Sequence, residues 1–169
     1  MYETDDEIRR LQALMDQSYE QAGSHTKDII TPERRLNARQ VVQLMGDKQQ
    51  HLALATVSSR CEPRVSPVDG FLLHGVFYGL TSGASLRARH LKARPAISIS
   101  CFRGDDFAIT VHGTAELIRE SHADFAAVDA EVKRIYGSSL VDWGEDTLAI
   151  RIHAERIITY ASKVEDFAE

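Results

Sequence analysis

From about residue 50 the hydrophobic pattern of this chain leaves the helical period and breaks into short β-rich runs joined by tight turns. "LALATVS" (52–58), "RVSPVDGFL" (64–72) and "GVFYGL" (75–80) come first, separated by the turns "SRCEP" and "LHG". "AISISCF" (96–102) and "FAITVHGTAELI" (107–118) follow, joined by "RGDD". "TLAIRIHAERIITYAS" (147–162) reads as a last strand pair or one long bent strand. Pro67 has no N–H to give a ladder, so it points to an edge or a bulge in its run. Helices fall between only some of these strands. A short one, "ASLRARHLKA" (84–93), is ended by Pro95, and "SHADFAAVDAEVKRIYG" (121–137) opens on Ser121 as N-cap and closes at Gly137. Six or so short strands so arranged predict a mainly β, α+β fold, an antiparallel β-barrel decorated by helices, over an alternating α/β sheet.

Two helices are expected ahead of the barrel. "DDEIRRLQALMDQSYEQA" sets Ile8, Leu11, Leu14, Met15 and Tyr19 at helical spacing behind an acidic first turn, and it should end near Gly23. "TPERRLNARQVVQLM" offers Thr31 as N-cap and Pro32 at the first helical position, with an end near Gly46. The chain therefore divides into an N-terminal helical extension, 1–47, packed on a single barrel domain, 48–162. At 169 residues with 43% apolar and 27% charged side chains it can bury one core without staples.

The remaining composition excludes several functions. A formal net charge of −5 argues against a surface that wraps nucleic acid. Aromatic content of 7%, with none alternating with the arginines, gives no base-stacking platform. Cys61 and Cys101 lack zinc spacing, the histidines show no metal pattern, and Cys101 reads as a buried small hydrophobe. No signal core or membrane-length apolar window is present, which suggests a cytoplasmic protein that meets neither membrane nor nucleic acid.

Against that acidic background, "TSGASLRARHLKARP" (81–95) carries Arg87, Arg89, Lys92 and Arg94 behind a bend of small polar residues. A strand end, hydroxyls, and backbone N–H groups at a helix start near Ser85 form an anion site, to which an arginine in the first turn adds charge. Ser85 and Arg87 would hold a terminal phosphate, and Thr81 and Ser82 would add hydroxyl contacts. The stretch is neither a Walker loop nor G-x-G-x-x-G. The same spacing also suits an exposed helix start, so the residues alone leave both readings open.

The ordered set "EPRVSP", "FYGLTSGASLR", "HLKARPAISIS" and "HGTAEL", over about residues 50–120 and more weakly to about 160, resembles the FMN-binding split-barrel family, the pyridoxamine 5'-phosphate oxidase-like flavoproteins. The resemblance implies a six-stranded split barrel, homodimeric, with FMN in the interface groove. Arg64, Val65, Ser66 and Pro67 would line the cofactor. Leu80 and Thr81 would lie beside its ring and ribityl chain, and Ser85 and Arg87 on its phosphate. Trp143, in "VDWGED", resembles a tryptophan that some members contribute from the partner subunit. Arg151 and His153 echo an Arg-x-His of the oxidase proper, and His112 beside Gly113 is a further candidate for the groove.

Departures at Asp69, Leu86 and Ala108, where the vitamin B6 oxidases carry Lys, a basic residue and Gln, argue against that oxidase activity itself. The resemblance implies a flavin-dependent oxidoreductase moving hydride or electrons to or from a small organic substrate. Two alternatives accompany it. The deazaflavin coenzyme F-420 would replace FMN, its polyanionic tail met by Arg89, Lys92 and Arg94, or the chain would bind flavin or nucleotide without catalysis.

Overall fold

In the computed structural model, which describes residues 3–46, 48–144 and 146–167, the β-rich runs form six antiparallel strands. They are β1 (Gln50–Val57), β2 (Pro63–Leu73), β3 (Val76–Ser82), β4 (Ala96–Arg103), β5 (Phe107–Ile118) and β6 (Thr147–Ala161). Met1, Tyr2 and Asp47 of the expected N-terminal extension, and Glu145 of "VDWGED", lie outside the described residues. The strands close into a barrel in the order β1-β2-β3-β6-β5-β4. The expected six-stranded antiparallel barrel is therefore the fold, and its last element is one long strand.

Closure is uneven. Along one seam β1 meets β4 at only three register pairs, Ala53–Ser100 to Ala55–Ser98. Elsewhere β2 pairs with β1 along its first half, while β3 takes only Gly70–Leu73. Residues 63–69 thus have a strand neighbour on one side, and Pro67 sits in that stretch, where its missing N–H is tolerated. Opposite, the β5–β6 ladder shifts register between His112 and Gly113. A Cβ on Gly113 would lie 2.0 Å from the His153 carbonyl oxygen, so only glycine lets the two backbones approach this closely.

Burial alternates along most strands, and two cores result. Leu52, Leu54, Ile97, Ile99, Ile109, Val111 and Ile150 fill the interior. One flank of the outer surface is also covered: Phe71, Tyr78, Leu80, Ile118 and Ala149 pack under Val128 and Val132 of α5 (Phe125–Tyr136) and under Leu140. β3 and β6 are therefore buried on both faces in this region, and "GVFYGL" reads as a continuous apolar run for that reason.

Sequence signals placed the helices with three corrections. α1 (Asp5–Glu20) has a Thr4–Glu7 capping box, and a short α2 (Ser24–Ile29) follows it. The Thr31–Pro32 start yields only a 3-10 turn, Pro32–Arg34. Leu36 then enters the core, and Asn37 opens α3 (Ala38–Met45) through a second capping box with Gln40. α4 (Leu86–Ala93) starts at Ser85 as expected. α5 begins at Phe125 rather than after Ser121, because Asp124 and the preceding loop are tied to β6 instead. Gly137 closes it in the left-handed conformation, φ +77°. No helix among the described residues is long and apolar enough to cross a membrane.

The extension is pinned to the barrel by buried polar bonds as well as by Ile8, Leu11 and Met15. The Ser18 hydroxyl, on the buried face of α1, donates to the Leu14 carbonyl (2.6 Å) and accepts the Ile157 N–H of β6 (2.9 Å). Thr159 donates to the Leu36 carbonyl (3.1 Å). Ser18→Ala would leave a buried strand N–H without an acceptor, at a cost of about 1–3 kcal/mol. The expected outcome is a fall in Tm of roughly 2–4 °C for each kcal/mol lost, measured by calorimetry.

Candidate functional site

Strand β3 delivers Thr81 and Ser82 to the barrel rim, and the chain turns there into α4. The turn is fixed by its backbone. Gly83 N–H donates to the Asp146 carbonyl (2.6 Å), Ser85 N–H to the Ser82 carbonyl (3.1 Å), and Ala84 N–H to Ser82 Oγ (3.1 Å). Ser85 caps α4, its Oγ accepting the Ala88 N–H (3.1 Å) and lying 3.0 Å from Thr81 Oγ1. Arg87, in the first turn of α4, donates to the same Thr81 oxygen (3.4 Å). "TSGASLR" therefore folds into a chain of two hydroxyls and a guanidinium at a helix N-terminus.

That chain forms one wall of a cleft of about 730 Å³. The facing wall is the one-sided start of β2, with Arg64, Val65 and Ser66, and the turn before it, Ser58–Glu62. Ser58 organises this turn. Its Oγ accepts the N–H groups of Arg60 (3.3 Å) and Glu62 (3.2 Å), while its own N–H donates to the Glu62 carbonyl (3.0 Å). The base holds Thr56 and His90, with Thr56 Oγ1 2.9 Å from His90 Nδ1. Val65 and Leu86, exposed at 68% and 64%, supply apolar surface within the otherwise cationic cleft.

Arg87 differs from the other arginines here. Desolvation by burial holds its pKa below the ordinary arginine value. Its hydrogen-bond partner is the neutral Thr81 hydroxyl, and it makes no ion pair among the described residues. A partly buried cation without a counter-charge stands at a place where an anion is favoured.

Of the residues singled out from sequence, Arg64, Val65, Ser66, Ser85 and Arg87 line one cleft, with Thr81 bonded to it. Ser82 braces the turn from the exposed side. Pro67 lies next along β2, outside the cleft lining, and Leu80 points into the outer core beneath α5. Trp143 stands on a 3-10 turn, Leu140–Trp143, its ring edge-on to Tyr136 at 5.1 Å and its Nε1 donating to Ser138 Oγ (2.5 Å). His112 is exposed on β5, 2.8 Å from Ser98 Oγ and away from the cleft. Cys101 is buried, and desolvation pushes its thiol up to about 11, which suits an inert core residue. Sequence reasoning missed Thr56, Ser59, Arg60, Glu62 and His90, which come from the far wall and the inner face of α4.

Arg151 and His153 lie elsewhere, in a separate polar cluster. Arg151 donates to Asp124 (2.6 Å), Glu116 (3.0 Å) and the Tyr78 hydroxyl (3.2 Å). His153 Nε2 and His122 Nε2 approach the two oxygens of Glu116 at 3.1 and 3.2 Å. Since His122 Nδ1 accepts the Asp124 N–H (3.1 Å), its Nε2 is the protonated nitrogen that donates to Glu116. Burial pulls the Arg151 pKa down, and its bonds to Asp124 and Tyr78 more than offset that. The cluster is saturated and serves to tie the 119–124 loop to β5 and β6. No group of three or more His, Cys, Asp or Glu among the described residues is arranged to hold a metal ion.

Comparison with known proteins agrees with the fold. Residues 37–161 match the family described as pyridoxamine 5'-phosphate oxidase. A conserved hypothetical protein from Mycobacterium tuberculosis superposes with a TM-score of 0.67 at 16% identity, covering 82% of this chain and 92% of that one. A protein described as F420 reductase gives 0.53 at 19% identity, covering 68% and 94%. A haem storage protein from Vibrio cholerae gives 0.58 at 20%, covering 66% and 85%. At these identities the likeness is one of fold. No curated protein sequence matches the chain.

The cluster around Arg151 makes a prediction about acid. Hydrogen bonds with Arg151 hold the Asp124 carboxyl below its ordinary value of 3.8. Burial pushes Glu116 up, but bonds from His122, His153 and Arg151 bring it below 4.5. Both carboxyls ionise more readily folded than unfolded, so their stabilisation is present above those ordinary values and lost as pH falls through the lower folded ones. Arg151→Gln should lower Tm at neutral pH, and its gap to the parent should narrow below about pH 4. Calorimetry across that range checks this, and a gap independent of pH would remove the two carboxylates as partners.

Proposed function

Since this chain belongs to the pyridoxamine 5'-phosphate oxidase family, we propose that its cleft binds FMN and that the protein is a flavin-dependent oxidoreductase acting on a small organic molecule. The observation that carries this reading is Arg87, partly desolvated, without a counter-charge among the described residues, and set at a helix start with two hydroxyls beside it. A terminal phosphate supplies what that group lacks. Arg64 on the opposite wall adds charge, and Val65 and Leu86 offer apolar surface to a planar body.

When bound, the flavin would supply hydride or electron transfer. The chain's own residues anchor and orient. Ser85 Oγ, held by the Ala88 N–H and Thr81, presents its hydroxyl at the phosphate position, and Arg87 presents its guanidinium there. Thr56 and His90 close the base of the cleft.

FMN is favoured over the deazaflavin coenzyme by the side chains that were candidates for the latter's longer polyanionic tail. Arg89, Lys92 and Arg94 do not line the cleft. A non-catalytic flavin-binding role shares the same site and separates from the first reading by turnover with a reduced nicotinamide.

The direct test is an absorption spectrum of the purified protein, with mass spectrometry of whatever heat releases. FMN is the expected species. Arg87→Ala removes a charge-assisted bond worth about 1.5–3 kcal/mol, so FMN affinity should fall about 10- to 100-fold. Unchanged affinity would dismiss the phosphate assignment.

The same proposal makes the active form a homodimer. Exposed Val65 and Leu86 lie at the cleft and exposed Phe102 at the end of β4, apolar area that a second copy of this chain would cover. Light scattering of the cofactor-loaded protein should give twice the mass of one chain, 18.9 kDa. A monomer with cofactor bound would contradict it.

A further inference from the structure

The cleft also contains a carboxylate that phosphate binding does not call for. Among the described residues lining it, Arg60, Arg64 and Arg87 bring three guanidinium charges, and Glu62 is the one acid. Its position is built in. The Ser58–Glu62 turn is closed at both backbone and hydroxyl, and Cys61 takes up a left-handed φ of +60° within it. The Glu62 carboxylate then accepts from Arg64 Nη2 at 2.6 Å and from the Ser58 hydroxyl at 3.4 Å, with Arg60 Nε 3.5 Å away. Arg60 and Arg64 thus share one counter-charge, and Arg87 has none among the described residues.

Three guanidinium charges against one carboxylate leave two positive charges. That matches a single phosphate monoester, which carries about −1.5 to −2 at neutral pH. A diphosphate or a chain of carboxylates brings more negative charge than the cleft offers, and the excess would meet Glu62 already seated on Arg60 and Arg64. Like charges brought to one site repel, which is how specificity against a near relative is commonly built.

We propose that Glu62 is a specificity-determining residue, which restricts the cleft to ligands ending in one phosphate and rejects those with a diphosphate or polycarboxylate tail. The inference rests on the cleft being the phosphate site argued above. Glu62 selects by charge, so its effect belongs to the ratio of affinities rather than to binding of the monophosphate alone.

The test uses calorimetric titration of the full chain with FMN, inorganic phosphate and pyrophosphate, in the parent and in Glu62→Gln, Glu62→Ala and Glu62→Asp. In the Gln and Ala variants the affinity for pyrophosphate relative to phosphate should rise by about tenfold or more. The Asp variant keeps the charge and should keep the parent's ratio. An unchanged ratio in Gln and Ala, with FMN still bound, would overturn the role of Glu62 and leave the cofactor site intact. If none of the three probes binds the parent, the phosphate site and the proposal fall together.

Discussion

Everything in this molecule depends on a barrel that closes almost, but not quite, completely. Closure satisfies strand N–H and C=O groups that an open sheet would leave at its edges. One exception is the first half of β2, where residues 63–69 have β1 on one side and, among the described residues, no strand on the other. A proline is acceptable there, and so is a row of side chains that answers to something other than a neighbouring strand. The cleft uses that opening. One wall is the one-sided start of β2, and the other is α4, delivered by the end of β3. Because β3 is buried on both faces, the position of Thr81 and Ser85 is set by core packing rather than by a mobile loop.

Two arginines show how charge accounting separates a strut from a site. Arg151 is more buried than most cations on this protein and makes three hydrogen bonds, two of them to carboxylates. Its field is spent inside the protein. Arg87 is also partly buried, yet its bond goes to a neutral hydroxyl. Burying a cation costs free energy unless a counter-charge or a full set of hydrogen bonds offsets it. The first arrangement is complete without a ligand; the second is complete only with an anion. That contrast, more than proximity to a cavity, assigns the functional weight to α4 and withholds it from the Arg-x-His pair on β6.

The sequence revealed what local chemistry decides and hid what distant residues decide. Alternating burial made the strands legible, and Ser85 was recognisable as a cap because its partner, the Ala88 N–H, lies three residues away. Ser121 looked equally good as a cap and is not one, since Arg151, a strand later, binds Asp124 and draws the loop to β6. Thr31–Pro32 gave way to Asn37 because Leu36 had to reach the core, a demand the spacing of helix signals does not carry. In the site, the wall holding Ser85 and Arg87 was visible as one contiguous motif. On the opposite wall Arg64, Val65 and Ser66 were carried by the family resemblance, but Glu62 and, at the base, Thr56 were not, because strand pairing is what brings them beside α4.

Those hidden residues change the chemical meaning of the visible ones. Read alone, "TSGASLRARHLKARP" is a basic stretch whose charge seems to invite a long anion. Folded, it divides: Arg87 turns into the cleft, while Arg89, Lys92 and Arg94 fall outside its lining. Glu62 from the far wall then subtracts a charge from the arginines that remain. Val65 and Leu86 set apolar surface beside the cationic centre. A ligand that satisfies all of these has one compact dianion at one end and an apolar, planar body at the other. The cleft is thus selective through the distribution of its charge, a local cationic excess in a chain whose formal net charge is −5.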